Sequence, residues 1–239
     1  MTRGRISLRY NRQMGERLGQ PDDNKRNEAA YQIRRARWRE REGRPYNIDR
    51  SGFQYVKELA GVKELFSYIK TLPSKTVLDI GAGTTHGITD ISHSSFGTDI
   101  DFEATVLSSV PQIEEHLGRE KTHITSAEVL RGIPGNSIGC VLSVFSLTYS
   151  HAPELVIGSI DRVLVPGGVV KIGSDDAPIW QLYQLLKDRG YDTTEDEGWG
   201  TFKIVLAIKP GNPTAPTAAS LIEKDKQTMS KQSDELLGI

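Results

Sequence analysis

The chain has 239 residues, of which 37% are hydrophobic and 26% are charged, with one cysteine and a formal net charge of −1. A single cysteine excludes an intramolecular disulfide, and without a run of about 18 apolar residues we expect neither a membrane span nor a signal peptide, hence a cytoplasmic protein. The length suits one α/β domain with additional segments.

Residues 1–50 form a basic arm, with 14 basic and 7 acidic residues against 16 and 24 in the remainder. A helix is predicted over residues 23–42, with arginines on nearly all of its sides. Such a surface can attract nucleic acid, an anionic surface or the acidic remainder of the same chain. Tyr31, Trp38 and Tyr46 lie among these cations, which suits contacts with bases and phosphates. A nucleic-acid contact and a helix folded over the acidic domain therefore both remain open.

Residues 51–210 are predicted to form the principal domain. Apolar residues at spacings of three and four predict a helix over residues 53–69. Short β-branched runs then alternate with helical segments, which predicts a mostly parallel sheet. The predicted strands are residues 76–80, 96–100, 123–125, 138–145 and 168–174. Helices are predicted at residues 153–164 and 179–189, followed by an antiparallel hairpin of residues 191–197 and 202–208. Residues 211–239 begin with a Pro- and Thr-rich linker, and a flexible C-terminal tail with an optional short helix is predicted there.

Clustered glycines follow the first predicted strand directly. Gly81 and Gly83 permit a tight turn, and the lack of side chains lets a ligand approach the backbone closely. Sixteen residues after Gly83, Asp99 is expected at the tip of the neighbouring strand, where a carboxylate can accept two hydrogen bonds from a ribose diol. Together the two features predict a nucleoside site.

Four segments resemble the class I methyltransferase family, in its type 11 group. Leu78-Asp79-Ile80-Gly81-Ala82-Gly83 resembles the first motif of the family, and Gly97-Thr98-Asp99-Ile100 resembles the second. Residues 136–143 resemble the entry into its fourth strand, and residues 162–168 resemble the end of the helix before its fifth strand.

The resemblance implies an α/β fold, a Rossmann-like three-layer sandwich. Its mostly parallel seven-strand sheet would have the order 3-2-1-4-5-7-6, with the last strand antiparallel. The resemblance also implies an enzyme with S-adenosylmethionine as its cofactor. The residues expected at the cofactor are Asp79, Gly81, Ala82, Gly83, Asp99, Ile100, Ser126, Ala127 and Phe145. No spacing of His, Cys and Asp suggests a metal site.

Tyr149 and His151 follow the fourth predicted strand, where an acceptor would meet the methyl group. They are the candidate catalytic residues, because either side chain could serve as a base. A base is needed only when the accepting atom carries a proton. The acceptor is expected to be a small molecule, since residues 143–149 lack the Asn/Asp-Pro-Pro-aromatic motif that holds a flipped base. An RNA or DNA acceptor bound through Met1 to Arg50 is the alternative.

Two interpretations from other classes also remain open. Tyr183 and Lys187 have the spacing of the Tyr-x-x-x-Lys pair of short-chain dehydrogenases, although they lie on the helix after the fifth strand. A catalytically degenerate Rossmann-like binding scaffold is the other interpretation, since Thr85 and Ser126 depart from the residues common in the family. Binding of labelled S-adenosylmethionine indicates the methyltransferase, binding of NAD(P) indicates the dehydrogenase, and binding of neither leaves the scaffold.

Overall fold

The computed structural model describes residues 51–237, apart from residues 84–86, 108–109, 151, 175–177 and 199–201. A seven-stranded sheet has the order β3-β2-β1-β4-β5-β7-β6. Its strands are β1 Thr76–Ile80, β2 Asp101–Val106, β3 Thr122–Ile124, β4 Ile138–Val144, β5 Leu164–Ser174, β6 Asp192–Glu197 and β7 Lys203–Ile208. The first five strands pair in parallel, and β7 runs antiparallel to β5 and β6. The predicted fold class, sheet order and antiparallel last strand are confirmed.

Seven helices in the described residues cover the two faces of the sheet. They are α1 Gly52–Glu58, α2 Lys63–Ile69, α3 Gly87–His93, α4 Pro111–Leu117, α5 Pro153–Val163, α6 Ile179–Asp188 and α7 Ala218–Leu237. Alternate strand residues enter two separate apolar cores, one beneath α1 to α4 and α7 and the other beneath α5 and α6. All seven residues of β4 are buried because both faces of this central strand are covered. None of these helices is long and apolar enough to cross a membrane.

The second predicted strand, residues 96–100, is wrong. Ser95–Gly97 forms a 3₁₀ turn, and β2 begins at Asp101 beside Thr76, the first residue of β1. Asp99 has a φ of 63°, which is left-handed and does not continue a strand. The strand forms over residues 101–106 instead, where the side chain of Phe102 is buried in the core.

The helix predicted over residues 53–69 is divided into α1 and α2. Ala60 and Gly61 have φ values of 52° and 87°, and this pair of left-handed residues turns the chain. Leu59 and Val62 are nevertheless fully buried on either side of the turn. The apolar periodicity therefore runs through the break and conceals it.

For residues 211–239 a flexible tail with an optional short helix was predicted, and its flexibility is wrong for residues 218–237, which form the 20-residue helix α7. Ala218, Leu221 and Ile222 are buried in the core beneath α1 and α2, and Asp225 and Gln232 are fully buried as well. Because the buried face of α7 includes polar residues, the composition of this segment resembles that of a solvent-exposed one, and the sequence did not predict its burial. The basic arm of residues 1–50, with its predicted helix, lies outside the described residues.

Candidate active site

The chain leaves β1 through a tight bend at the carboxyl edge of the sheet. Gly81 and Gly83 have φ values of 74° and 67°, a backbone conformation that glycine adopts without steric cost. The backbone N–H groups of Gly81 and Ala82 both donate to the carbonyl oxygen of Thr105 in β2, at 3.1 and 3.2 Å. The neighbouring strand therefore fixes the position of the bend.

One side of the bend is occupied by Ser146, which follows β4. A Cβ atom at Gly81 would overlap the Ser146 side chain and lie only 2.5 Å from its Oγ. The Ser146 hydroxyl donates to the carbonyl oxygen of Ile80 and forms a 2.7 Å hydrogen bond with Ser143 Oγ. Gly81 is thus required where the ends of β1 and β4 pack together, and the space on that side belongs to Ser146 rather than to a ligand.

Asp79 lies two residues before the bend, and its side chain is buried. The hydroxyl of Tyr55 in α1 donates to Asp79 Oδ1 at 2.7 Å. Tyr55 also packs against Gly87 at the start of α3, where a Cβ atom would lie 2.7 Å from the ring. Sequence analysis identified Asp79 but missed Tyr55, because no spacing rule relates residues that are 24 positions apart.

The structure does not bring Asp99 and Ile100 to the bend. Because β1 and β2 are parallel and Thr76 pairs with Asp101, both residues lie at the amino-terminal edge of the sheet, opposite the bend. Asp99 is exposed there. The predicted position of these two residues beside the glycines is therefore wrong. In the sequence, the carboxyl end of β2 is followed by Leu107, Ser108 and Ser109, none of which carries a carboxylate.

Ser126 and Ala127 follow β3 at the carboxyl edge, and both are buried. Arg162 of α5 holds the rest of this loop through hydrogen bonds to the carbonyl oxygens of Val129, Leu130 and Ile133. The hydroxyl of Ser150, in the segment after β4, donates to Glu128 Oε1 at 2.6 Å. The segments after β3 and β4 are therefore tied together at the same edge as the bend.

Phe145 directly follows β4 and has a strained conformation, with a φ of 65°. Its N–H donates to the carbonyl oxygen of Gly173 at 2.9 Å, and its ring meets that of Phe202 edge to face, with 4.9 Å between the ring centroids. Tyr149 lies in the 3₁₀ turn Leu147–Tyr149 of the following segment, and His151 lies outside the described residues. The catalytic roles of these two residues remain predictions.

A second buried carboxyl group, that of Glu58, approaches this edge from the end of α1. The Glu58 side chain accepts a hydrogen bond from Gln54 Nε2 at 3.0 Å, and the residue as a whole is only 7% exposed. The backbone carbonyl oxygen of Glu58 packs closely on Gly173 in β5, and a Cβ atom at Gly173 would overlap this oxygen. Sequence analysis missed Glu58, because a glutamate inside an amphipathic helix has the pattern of a solvent-facing residue.

A known family matches the region that contains these features. Residues 78–172 match the model of a methyltransferase domain family, which is the type 11 family. The match runs from β1 to β5 and so includes the bend and the segments after β3 and β4. No curated protein matches the chain in sequence.

Solved structures share the fold at low sequence identity. The CurJ carbon methyltransferase has a TM-score of 0.52 and 14% identity, with 68% of this chain and 56% of that chain covered. The [4+2]-cyclase SpnF has a TM-score of 0.50 and 16% identity, with coverage of 70% and 86%. A methyltransferase from Aquifex aeolicus described as SAM dependent has a TM-score of 0.49 and 18% identity, with coverage of 64% and 92%. The likeness to the first two structures shows a common fold alone, and activity has to be argued from the family match and the site.

The family match, the sheet order and the glycine bend agree with the resemblance found in the sequence. They confirm the predicted enzyme class and its cofactor, S-adenosylmethionine. Over residues 78–172, from β1 to β5, the chain is similar to the methyltransferase domain of the type 11 family.

Proposed function

We propose that this domain transfers a methyl group from S-adenosylmethionine to a small-molecule acceptor at the carboxyl edge of the sheet, between the ends of β1 and β4. The observation that carries the proposal is the bend directly after β1. Gly81 and Gly83 both have positive φ, and the bend lies inside the segment that matches the methyltransferase family.

The residues at this edge suit the parts of the cofactor. Ala82 and Gly83 present backbone without long side chains, which allows close approach of the methionine portion. The carboxylate of Asp79 next to the bend complements the positive charge of the ammonium and sulfonium groups. Ser126 and Ala127 have small side chains where the adenine would lie. The ribose hydroxyls would have to bind groups other than Asp99, because Asp99 is at the opposite edge.

The bound cofactor supplies an electrophilic methyl group, so the chain has to orient an acceptor and exclude water. Phe145 and Phe202 offer an apolar wall at the end of β4 for this purpose. Tyr149 and His151 are the proposed groups that hold the acceptor and take its proton when it carries one.

The charge of the edge favours a small acceptor over a nucleic acid. Glu58, Asp79 and Glu128 bring three carboxyl groups to the segments around the site. Binding of nucleic acid relies on cations that face the phosphates. The one observation that favours a nucleic-acid acceptor is the excess of basic residues in residues 1–50. In that case, deleting residues 1–44 would abolish a salt-sensitive gel shift, whereas an unchanged shift would exclude this role of the arm.

Calorimetric titration with S-adenosylhomocysteine and with NADP tests the proposal. We expect S-adenosylhomocysteine to bind and NADP not to bind. The variant Gly83→Val should weaken binding roughly tenfold or more, because valine at a φ of 67° displaces the bend. Gly190→Val is the matched control, since Gly190 has a φ of 80° at the far end of α6 and contacts nothing where a Cβ would be. Binding of NADP alone, or equal losses in both variants, would contradict the proposal.

The acceptor can be identified directly. Cell extracts incubated with the protein and methyl-labelled S-adenosylmethionine should yield a labelled product of low molecular mass, detected by mass spectrometry. Label found only in RNA or DNA would overturn the small-molecule part of the proposal and leave the methyltransferase part intact.

A further inference from the structure

The turn between α1 and α2, residues 59–62, is held by buried polar side chains from two distant parts of the chain. Lys171 Nζ in β5 donates to the carbonyl oxygen of Gly61 at 2.6 Å. Gln232 Oε1 in α7 accepts the N–H of Val62 at 2.9 Å. The turn contains two successive left-handed residues, and such a conformation persists only when its surroundings hold it.

Asp225 of α7 joins these two supports. Its Oδ2 accepts from Lys171 Nζ at 2.8 Å, and neither side chain is exposed at all. Its Oδ1 accepts the backbone N–H groups of Glu64 and Leu65 at 2.7 and 3.3 Å. The first residues of α2 have no side-chain cap of their own, because Val62 precedes the helix. A residue 161 positions away from Glu64 therefore supplies the cap of α2.

The turn determines where α1 lies. With seven residues α1 has two turns, too few to be stable without packing. Its Tyr55 reaches Asp79 beside the glycine bend, and its Glu58 packs on Gly173 in β5. A continuous series of contacts thus runs from α7 through the turn and α1 to the bend.

We infer that α7 is a positioning element of the cofactor site, in which Asp225 and Gln232 hold the turn and so keep Tyr55 of α1 against Asp79. This inference rests on the proposed cofactor site at the bend. Residues 218–237 lie beyond the segment that matches the methyltransferase family, which ends in β5.

The test has to separate positioning from general stability. Removing one partner of the ion pair would leave a buried charge uncompensated and destabilise the whole protein. Two double variants avoid this. Both variants remove the two charges. In K171M/D225N the amide oxygen of the introduced asparagine still accepts the N–H groups of α2, whereas in K171M/D225L this cap is lost as well. Both proteins therefore lack the ion pair, and they differ in whether residue 225 still caps α2 and so holds the turn.

Backbone hydrogen exchange of Tyr55 to Glu58 and the affinity for S-adenosylhomocysteine are compared at a temperature where both variants are folded. We expect K171M/D225L to exchange these amides roughly tenfold faster than K171M/D225N and to bind the ligand roughly fivefold more weakly. Equal exchange and equal affinity in the two folded variants would reduce α7 to a stabilising helix and overturn the inference.

A single variant covers the case in which K171M/D225L does not fold. Gln232→Met removes the acceptor of the Val62 N–H at similar side-chain volume, and Lys231→Met changes the exposed neighbour on the same helix. Faster exchange in α1 and weaker binding in Q232M alone support the inference, and identical behaviour of the two variants contradicts it. If the wild-type protein does not bind S-adenosylhomocysteine, the proposed function fails, while the exchange of α1 still decides whether α7 positions that helix.

Discussion

At Gly81 a backbone requirement and a packing requirement coincide. The φ of 74° disfavours any side chain, and a Cβ would overlap Ser146. We therefore expect Gly81→Ala to lower the free energy of unfolding by about 2–4 kcal/mol, the sum of a strained φ and an overpacked contact. Urea denaturation followed by circular dichroism measures the change.

The double variant G81A/S146G is the control for this prediction. It is compared with S146G, which lacks the same Ser146 hydrogen bonds. Because the overlap is absent there and the strained φ remains, the alanine should cost less in the S146G protein than in the wild type. No cost in the S146G protein would show that φ at Gly81 carries no penalty, and an equal cost in both would show that Ser146 does not restrict the position.

Asp99 is predicted to be dispensable for cofactor binding, in contrast to the expectation from the sequence. Asp99→Asn removes the negative charge and retains a side chain that tolerates the left-handed φ of 63°. Because the residue lies at the amino-terminal edge of the sheet, the affinity of this variant for S-adenosylhomocysteine should stay within about twofold of the wild type. Calorimetric titration decides the point, and a loss of binding would place the cofactor at the other edge of the sheet.

At the scale of elements, Gly173 sets the distance between α1 and β5. A Cβ at this position would overlap the carbonyl oxygen of Glu58, a backbone atom that cannot rotate away. Gly173→Ala should therefore push α1 off the sheet and lower the free energy of unfolding by about 1–3 kcal/mol. Affinity for S-adenosylhomocysteine should fall in the same variant, because α1 carries Tyr55. Stability and affinity equal to those of the wild type would refute the close packing of α1 on β5.

Gly158→Ala makes the same chemical change with the opposite expected sign. Gly158 lies inside α5, is exposed, and has no atom within 4 Å of the place where a Cβ would be. Alanine in a helix interior should raise the free energy of unfolding by about 0.5–1 kcal/mol, through the lower conformational entropy of the unfolded chain. Urea denaturation should show this gain with no change in affinity for S-adenosylhomocysteine. A destabilised variant would mean that α5 is not a regular helix at this position.

The sequence predicted the elements whose local signals and packing agree. β1 and β4 are apolar runs in the centre of the sheet, and α5 begins at Pro153, which suits the first turn of a helix. β2 was predicted five residues too early. The prediction followed the resemblance of Gly97-Thr98-Asp99-Ile100 to a family motif, whereas the strand is formed by the next residues, Asp101–Val106. In the region of α7 only an optional short helix was predicted, because Asp225 and Gln232 are polar residues that long-range contacts bury.

The candidate site was predicted only where it follows a strand along the chain. Asp79 lies in β1, and Gly81 and Ala82 follow it, so the end of that strand placed them at the edge that carries the bend. Tyr55 and Glu58 reach the same edge by packing of α1, a tertiary contact that no local pattern encodes. For Asp99, an error in the strand boundary moved the residue to the opposite edge.

For the whole molecule, the two cores on either side of the sheet each contain a weak acid that folding keeps protonated. Burial raises the pKa of the Cys140 thiol well above its ordinary value, since the thiolate is disfavoured in the core beneath α1 and α2. Burial also raises the pKa of Tyr191 in the other core, and its hydrogen bond to the Asp161 carboxylate adds to this increase. Both groups hold their protons in the folded chain at pH values where the unfolded chain releases them.

The stability of the protein should consequently fall in alkaline solution. A raised folded-state pKa of an acid gives stability that is present below the unfolded pKa and is lost as the pH rises above it. With unfolded values of about 8.5 for cysteine and about 10 for tyrosine, the loss begins near pH 8.5 and becomes steeper above about pH 10. Each group contributes a slope of up to about 1.4 kcal/mol per pH unit. Urea denaturation between about pH 7 and pH 11 measures the decline, and C140A/Y191F should show a flatter profile than the wild type. Parallel profiles of the two proteins would mean that other groups cause the alkaline loss.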